Sequence, residues 1–337
     1  MKTFAIGAAA LVASVVTAGA QETTLRLSHW VPATHPVQTT GIEPWAESIS
    51  EASNGEIAIQ IFPAQQLGAA PDHYDMVRDG IVDIAWVNPG YNAGRFPIFE
   101  LTGVPFESTS GTKGAKAIHE WYKGEYSEKE MGDVYFCLVN PHDTGRFHSK
   151  DPVKVPSDVD GLNVRPAHAT MARFINSLGG SSVQVPAPEA REALARGTAD
   201  AITFPYESIT LFGIDKITKF HNDMPFYMSA QLLLINKNAY ERLSDEGKQV
   251  IDDHCTPEWS EQFSLGWTKA AEDVRQELID NPEHEVYQPT EEEVELWREA
   301  AKPVMEAWKK DAAASGVDAD EVLANYRKAL EANDTKY

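Results

Sequence analysis

The residue of this chain best suited to holding an anion is Arg165, within Asp160-Gly161-Leu162-Asn163-Val164-Arg165-Pro166. Val164 is a strand residue, Pro166 cannot donate to a sheet ladder, and an apolar helical pattern runs from Thr170 to Leu178. A side chain at such a strand-to-helix crossover faces the crevice where open α/β sheets hold ligands. A guanidinium offers a carboxylate two parallel hydrogen bonds, a geometry that lysine cannot reproduce. A surface ion pair with Asp158 or Asp160 is the competing use of the same residue. Catalytic patterns do not compete with this reading. The sequence contains neither G-x-S-x-G nor H-E-x-x-H, and its ten histidines are scattered without metal spacing. His284, between Glu283 and Glu285, reads as a solvated turn, and Glu291-Glu292-Glu293 suits the start of a helix. Neither an enzyme, a cofactor nor a bound metal is expected.

Rings and amides cluster at comparable positions. Trp30 and Trp86 each close a predicted strand, where side chains project into a crevice, although core packing is the alternative for both. His29 precedes Trp30, and Asn88 opens the Asn88-Pro89-Gly90 turn. His168 lies three residues past Arg165 at the opening of a helix, where capping is its alternative role. Tyr91 and Tyr206 stand on nearby loops.

These residues require an alternating frame. Strands are predicted at Leu25–Ser28, Ile57–Ile61, Ile81–Val87, Val134–Val139, near Val183, at Ala199–Thr203 and at Gln231–Ile235. Helices are predicted over 42–52, 72–79, 112–123, 170–178 and 189–196, with mainly helical sequence after 236. Thr290 with Glu293 forms a capping box. Trp297, Met305 and Trp308 share one side of a long helix and are assigned to the core. Strands alternating with helices indicate an α/β fold, and the length suits about two domains.

Met1 to Ala20 reads as a secretory signal: Lys2, an apolar run from Phe4 to Val16, then Ala18-Gly19-Ala20. The formal charge of the whole chain is −22, which argues against nucleic acid or anionic lipid as partners. An anionic ligand would therefore need a local cation. Cys137 and Cys255 are too few for a disulfide scaffold. Because Cys137 lies in an apolar strand, two buried free thiols are expected.

Several segments together resemble the solute-binding proteins of tripartite ATP-independent periplasmic (TRAP) transporters, of the C4-dicarboxylate-binding type. They are Ser28-His29-Trp30 with His35-Pro36, Asn54-Gly55-Glu56, Gln66-Leu67-Gly68 and Asp79-Gly80-Ile81-Val82-Asp83-Ile84. In the second half, Gly161–Arg165, Leu178-Gly179-Gly180 and Glu192–Gly197 with Asp200 follow in the same order. The resemblance implies a two-lobed periplasmic-binding-protein clamp with mixed sheets, hinge strands and long C-terminal helices. Lobe I would take residues 21–142 and 230–270, and lobe II residues 143–229 and 271–337. It also implies a periplasmic location and integral-membrane permease subunits as partners; a monomer is the default expectation. Arg165 falls on the arginine with which the family pairs the ligand carboxylate.

Two departures bear on the ligand. Relatives often carry a second arginine one strand upstream; Arg146 is near, but one place late, and a one-residue offset turns a strand side chain to the other face. The family typically has a polar residue, often asparagine, just before the proline that follows Asp200, where this chain has Phe204. A ring there replaces a hydrogen bond with an apolar wall. The site expected is therefore Arg165 on the carboxylate, with His29, Trp30, Trp86, Asn88, His168 and Phe204 around it and Arg146 in reserve. The ligand expected is an aromatic or unsaturated monocarboxylate. A C4-dicarboxylate, a sugar acid or an ectoine-like zwitterion is the alternative within the same role, and an exported hydrolase the distant one.

Overall fold

Apolar alternation at Leu25 and Leu27, and at Ile57, Ile59 and Ile61, builds the first two strands of a computed structural model that describes residues 23–337. The secretory-signal reading of Met1–Ala20 lies outside the described residues. The strands in chain order are β1 (Thr23–Ser28), β2 (Ile57–Phe62), β3 (Ile84–Val87), β4 (Val134–Pro141), β5 (Gly145–Ser149) and β6 (Asn163–Arg165). They continue with β7 (Ser181–Ser182), β8 (Ala201–Phe204), β9 (Phe220–Tyr227), β10 (Ala230–Asn236) and β11 (Glu285–Tyr287). They form two mixed sheets, ordered β2-β1-β3-β10-β4 and β11-β9-β5-β8-β6-β7. Helices cover them, and the α/β clamp architecture expected from the sequence is the one observed.

The sheets are joined where β4 runs into β5 and β9 into β10. Gly145 pairs with Tyr227 and Ala230 with Pro141, so the two crossings lie side by side. His142 locks them: its backbone N–H donates to Ser229 O at 3.2 Å, and its Nε2 accepts from Ser229 N–H at 3.0 Å. Glycine is required at 145 because a Cβ there would meet the Tyr227 ring at 2.2 Å. The helix Pro257–Asp280 makes a further crossing. It packs on the helix Gly111–Tyr122 beside the first sheet and on Tyr206–Leu211 beside the second.

The long helix Glu291–Ala314 also serves both halves. Trp297 packs with Phe147, Phe174 and Phe226 of the second sheet's core, whereas Trp308 joins the first sheet's core and donates to Pro97 O at 2.8 Å. The final helix, Ala319–Ala332, buries Tyr326 and Leu330 in that same first core, where Tyr326 meets Trp121.

The cysteines correct the expectation of free thiols. Cys137 and Cys255 form a disulfide, with Cα atoms 4.5 Å apart across a sequence separation of 118 residues. The apolar strand does bury Cys137, but the turn after the helix Asp245–Asp253 brings Cys255 onto it, a juxtaposition that strand patterning does not reveal. Closing so long a loop constrains the unfolded chain and contributes about 2–4 kcal/mol.

Candidate carboxylate-binding cleft

Arg165 ends β6, paired with Ile202 of β8, and its side chain is 1 % exposed. Its Nε donates to Val185 O at 3.0 Å, which fixes the plane of the guanidinium. Nη1 and Nη2 are buried and find no acceptor among the described residues. The group lies over the Phe204 ring at 5.0 Å from its centroid. Burying a cation with unmatched donors is costly. One edge is held by the backbone, one face rests on a ring, and the remaining donors suit a planar anion.

Around Arg165 the two halves and the crossings line a narrow, partly open cleft. The first half supplies Trp30, His35, Asn88 and Tyr91, the crossings His142 and Ser229, and the second half Phe204, Ser208 and Phe212. Trp267 of the helix Pro257–Asp280 adds another ring. Trp30 stacks on Trp86 at 4.6 Å and tilts against Tyr91 at 5.7 Å. The Tyr91 hydroxyl accepts from Ala187 N–H at 3.1 Å, tying the first half to a helix start of the second. Two polar atoms of this wall, Trp30 Nε1 and Ser229 Oγ, are buried and find no partner among the described residues.

The charge balance is simple. Burial, with Arg165 and Arg146 close by, holds His142 down to about 4, and burial with His29 near holds His35 down to about 3. Both rings are therefore neutral near pH 7, leaving Arg165 as the cation of the wall. Burial pushes Glu207 up to about 7 despite hydrogen bonds from Trp267 Nε1 and the Ser208 hydroxyl.

Of the residues singled out by sequence, Arg165, Trp30, Asn88, Tyr91 and Phe204 come together on this wall. The others do not. Trp86 is fully buried behind Trp30, with Nε1 donating to Asn140 Oδ1 at 2.8 Å, because β3 is covered on both faces. His29 alternates away from Trp30 and meets Gln38 Oε1 at 2.8 Å. His168 caps its helix, accepting from Met171 N–H at 3.3 Å, and lines a neighbouring crevice with Gly90, Tyr91 and Pro186.

Arg146 is engaged elsewhere. A bulge between Gly145 and Phe147 re-aims it, and its Nε pairs with Asp223 at 3.2 Å while Nη1 donates to Thr144. Asp223 also accepts from Arg275 and from the Tyr206 hydroxyl, so Tyr206 faces this network.

Sequence reasoning missed His35, His142, Phe212, Ser229 and Trp267 on the wall. His142 follows the end of a predicted strand, the same signal that pointed to Trp86. Trp267 lies mid-helix and carried no such signal.

No helix among the described residues is long and apolar enough to cross a membrane. The family model described as bacterial extracellular solute-binding protein, family 7, matches residues 27–311. A structure of a TRAP solute-binding protein from Rhodoferax ferrireducens, with copurified benzoate, superposes with a TM-score of 0.88 at 27% identity, covering 93% of this chain and 98% of that one. A Bordetella bronchiseptica TRAP solute-binding protein holding (R)- and (S)-mandelate gives 0.85 at 29% identity, covering 92% and 99%. Among curated proteins, the outer membrane transporter protein TsaT of Comamonas testosteroni is 24% identical, covering 96% of this chain and 97% of that protein.

Proposed function

Because this chain belongs to the family-7 bacterial extracellular solute-binding proteins, the receptors of TRAP transporters, we propose that it captures an aromatic monocarboxylate at Arg165. Proteins of this kind work outside the cytoplasmic membrane and hand their ligand to integral-membrane permease subunits. Arg165 takes the carboxylate on Nη1 and Nη2, and Trp30, Phe204, Phe212 and Tyr91 hold the ring. The observation that carries this reading is the pair of unmatched guanidinium donors over an aromatic face. Benzoate in the Rhodoferax relative and mandelate in the Bordetella relative support the same ligand class. Trp30 Nε1 and Ser229 Oγ leave room for one further oxygen on the ligand.

A C4-dicarboxylate would need a second cation, and Arg146 is spent on Asp223. The protein binds and releases its ligand unchanged. Lobe I takes residues 21–142 and 230–270 and lobe II residues 143–229 and 271–337, with one amendment: the final helix is assigned to lobe I, whose core holds Tyr326 and Leu330. Ligand contact with both lobes stabilises the closed clamp.

Calorimetric titration with benzoate, mandelate, succinate, gluconate and ectoine tests the proposal. Binding of benzoate or mandelate at least tenfold tighter than the other three is expected. Preference for gluconate or succinate would overturn it.

A further inference from the structure

Behind the Phe204 wall, three histidines form one continuous chain of hydrogen bonds. His148 Nδ1 lies 2.7 Å from His221 Nδ1, and His221 Nε2 lies 2.9 Å from His284 Nδ1. The inner end, His148 Nε2, is 3.0 Å from the backbone oxygen of Phe204. The outer end, His284 Nε2, is 3.3 Å from Lys219 Nζ. Sheet register assembles the chain: His148 faces His221 across β5 and β9, and β11 pairs with β9 at Val286 and His221, bringing His284 alongside. The sequence reading of His284 as a solvated turn misses this, since its partners come from other strands.

The two ends fix every proton. A carbonyl only accepts, so His148 carries its hydrogen on Nε2; an ammonium only donates, so His284 Nε2 is bare. A neutral imidazole has a single N–H. His148 Nδ1 must therefore accept from His221 Nδ1–H, and His221 Nε2 from His284 Nδ1–H. All four bonds then run in one direction, from Lys219 to Phe204, and use every ring nitrogen. Another proton on either inner ring would set two donors face to face. Lys219, Lys216, Asp215 and Glu283 surround His284, with Asp215 and Asp223 also near His221 and Arg146 near His148. Burial, then the adjacent histidines and cations, lowers all three rings against the opposing pull of the carboxylates, His221 to about 3.

We propose that His148, His221 and His284 are positioning residues: their ordered chain holds the Phe204–Pro205 corner by its carbonyl and so sets the aromatic wall on which Arg165 rests. The inference depends on the reading of this cleft as a carboxylate site. Without the chain the corner loses its tether, and ligands that use the ring wall suffer more than those that use Arg165 alone.

Nitrogen NMR of the full protein labelled at histidine reads the tautomers at pH 7. Nδ1–H is expected on His221 and His284 and Nε2–H on His148; Nε2–H on His221 and His284 overturns the chain. Calorimetry with benzoate and propionate reads the positioning. His148→Phe should weaken benzoate at least tenfold while propionate changes less than threefold, and His148→Gln, whose amide N–H can reach the same carbonyl, should restore most of the loss. Equal losses for both acids, or full benzoate binding in His148→Phe, overturns the role. Should His148→Phe fail to fold, His284→Phe at the outer end carries the test, with benzoate weakened about threefold and propionate unchanged; no change in benzoate overturns it. Failure of the unaltered protein to bind benzoate would overturn the cleft reading itself, while the tautomers judge the chain separately.

Discussion

Arg165 and Arg146 are buried in the same sheet, yet they have opposite circumstances. Arg146 has Asp223 at 3.2 Å and the Thr144 hydroxyl at 2.6 Å, and Asp223 is shared with Arg275. Arg165 has one backbone carbonyl and a ring, with Nη1 and Nη2 unmatched. A paired charge contributes to the fold and is unavailable to a ligand. An unpaired one destabilises the empty protein and is repaid by the anion it receives. Counting arginines near a cleft therefore says little until their carboxylate partners are known.

Substitution separates the two most clearly. Arg165→Met should cost about 4 kcal/mol of benzoate affinity, close to a thousandfold, while the melting temperature of the ligand-free protein stays level or rises. Arg146→Met should do the reverse, costing about 3 kcal/mol of stability by leaving buried polar groups short of a partner, with benzoate affinity within a few fold. Calorimetry and thermal melting on both variants give the comparison directly; binding lost equally in both would erase the distinction. Arg165→Lys keeps the charge but loses the fork, and about 2 kcal/mol of affinity should go with it. Phe204→Asn removes the wall beneath Arg165, and about 1 kcal/mol of preference for benzoate over propionate should disappear.

The smallest effect is the pH profile of stability. His35 and His142 have folded values of about 3 and 4, below the ordinary 6.5. The unfolded chain takes up their protons first, so the stability they contribute is present above 6.5 and is lost as pH falls toward those values. Glu207 and Glu130 are raised by burial to about 7, so their contribution is present below 4.5 and is lost as pH rises through 7. Melting temperature should peak at about pH 6 to 7. A profile that stays level or rises as pH falls from 6.5 to 3 would contradict the neutral rings placed around Arg165.

The legible parts of this molecule in sequence were those set by local pattern. Alternation marked β1 and β2, the apolar run marked β4 and β10, and Val164-Arg165-Pro166 marked the end of β6. Strand β9 went unread, because Phe220-His221-Asn222-Asp223-Met224-Pro225-Phe226-Tyr227 carries three consecutive polar or ionisable residues and a proline where a strand usually has apolar ones. Those residues find partners on other elements: His221 in His148 and His284, Asp223 in four side chains, Asn222 Nδ2 in Val153 O. The same distance in sequence hid the Cys137–Cys255 link and the arrival of Trp267 at the cleft. Arg165 was legible because its setting, a strand end before a proline, is local; the commitment of Arg146 to Asp223, 77 residues away, is not.

The central claim is that the guanidinium of Arg165 receives the carboxylate. A crystal structure of the protein with benzoate tests it most directly. Both carboxylate oxygens are expected within hydrogen-bonding distance of Arg165 Nη1 and Nη2, with the ring between Trp30 and Phe204 and the Arg146–Asp223 pair intact. A carboxylate bound away from Arg165, or on an Arg146 freed from Asp223, would contradict it.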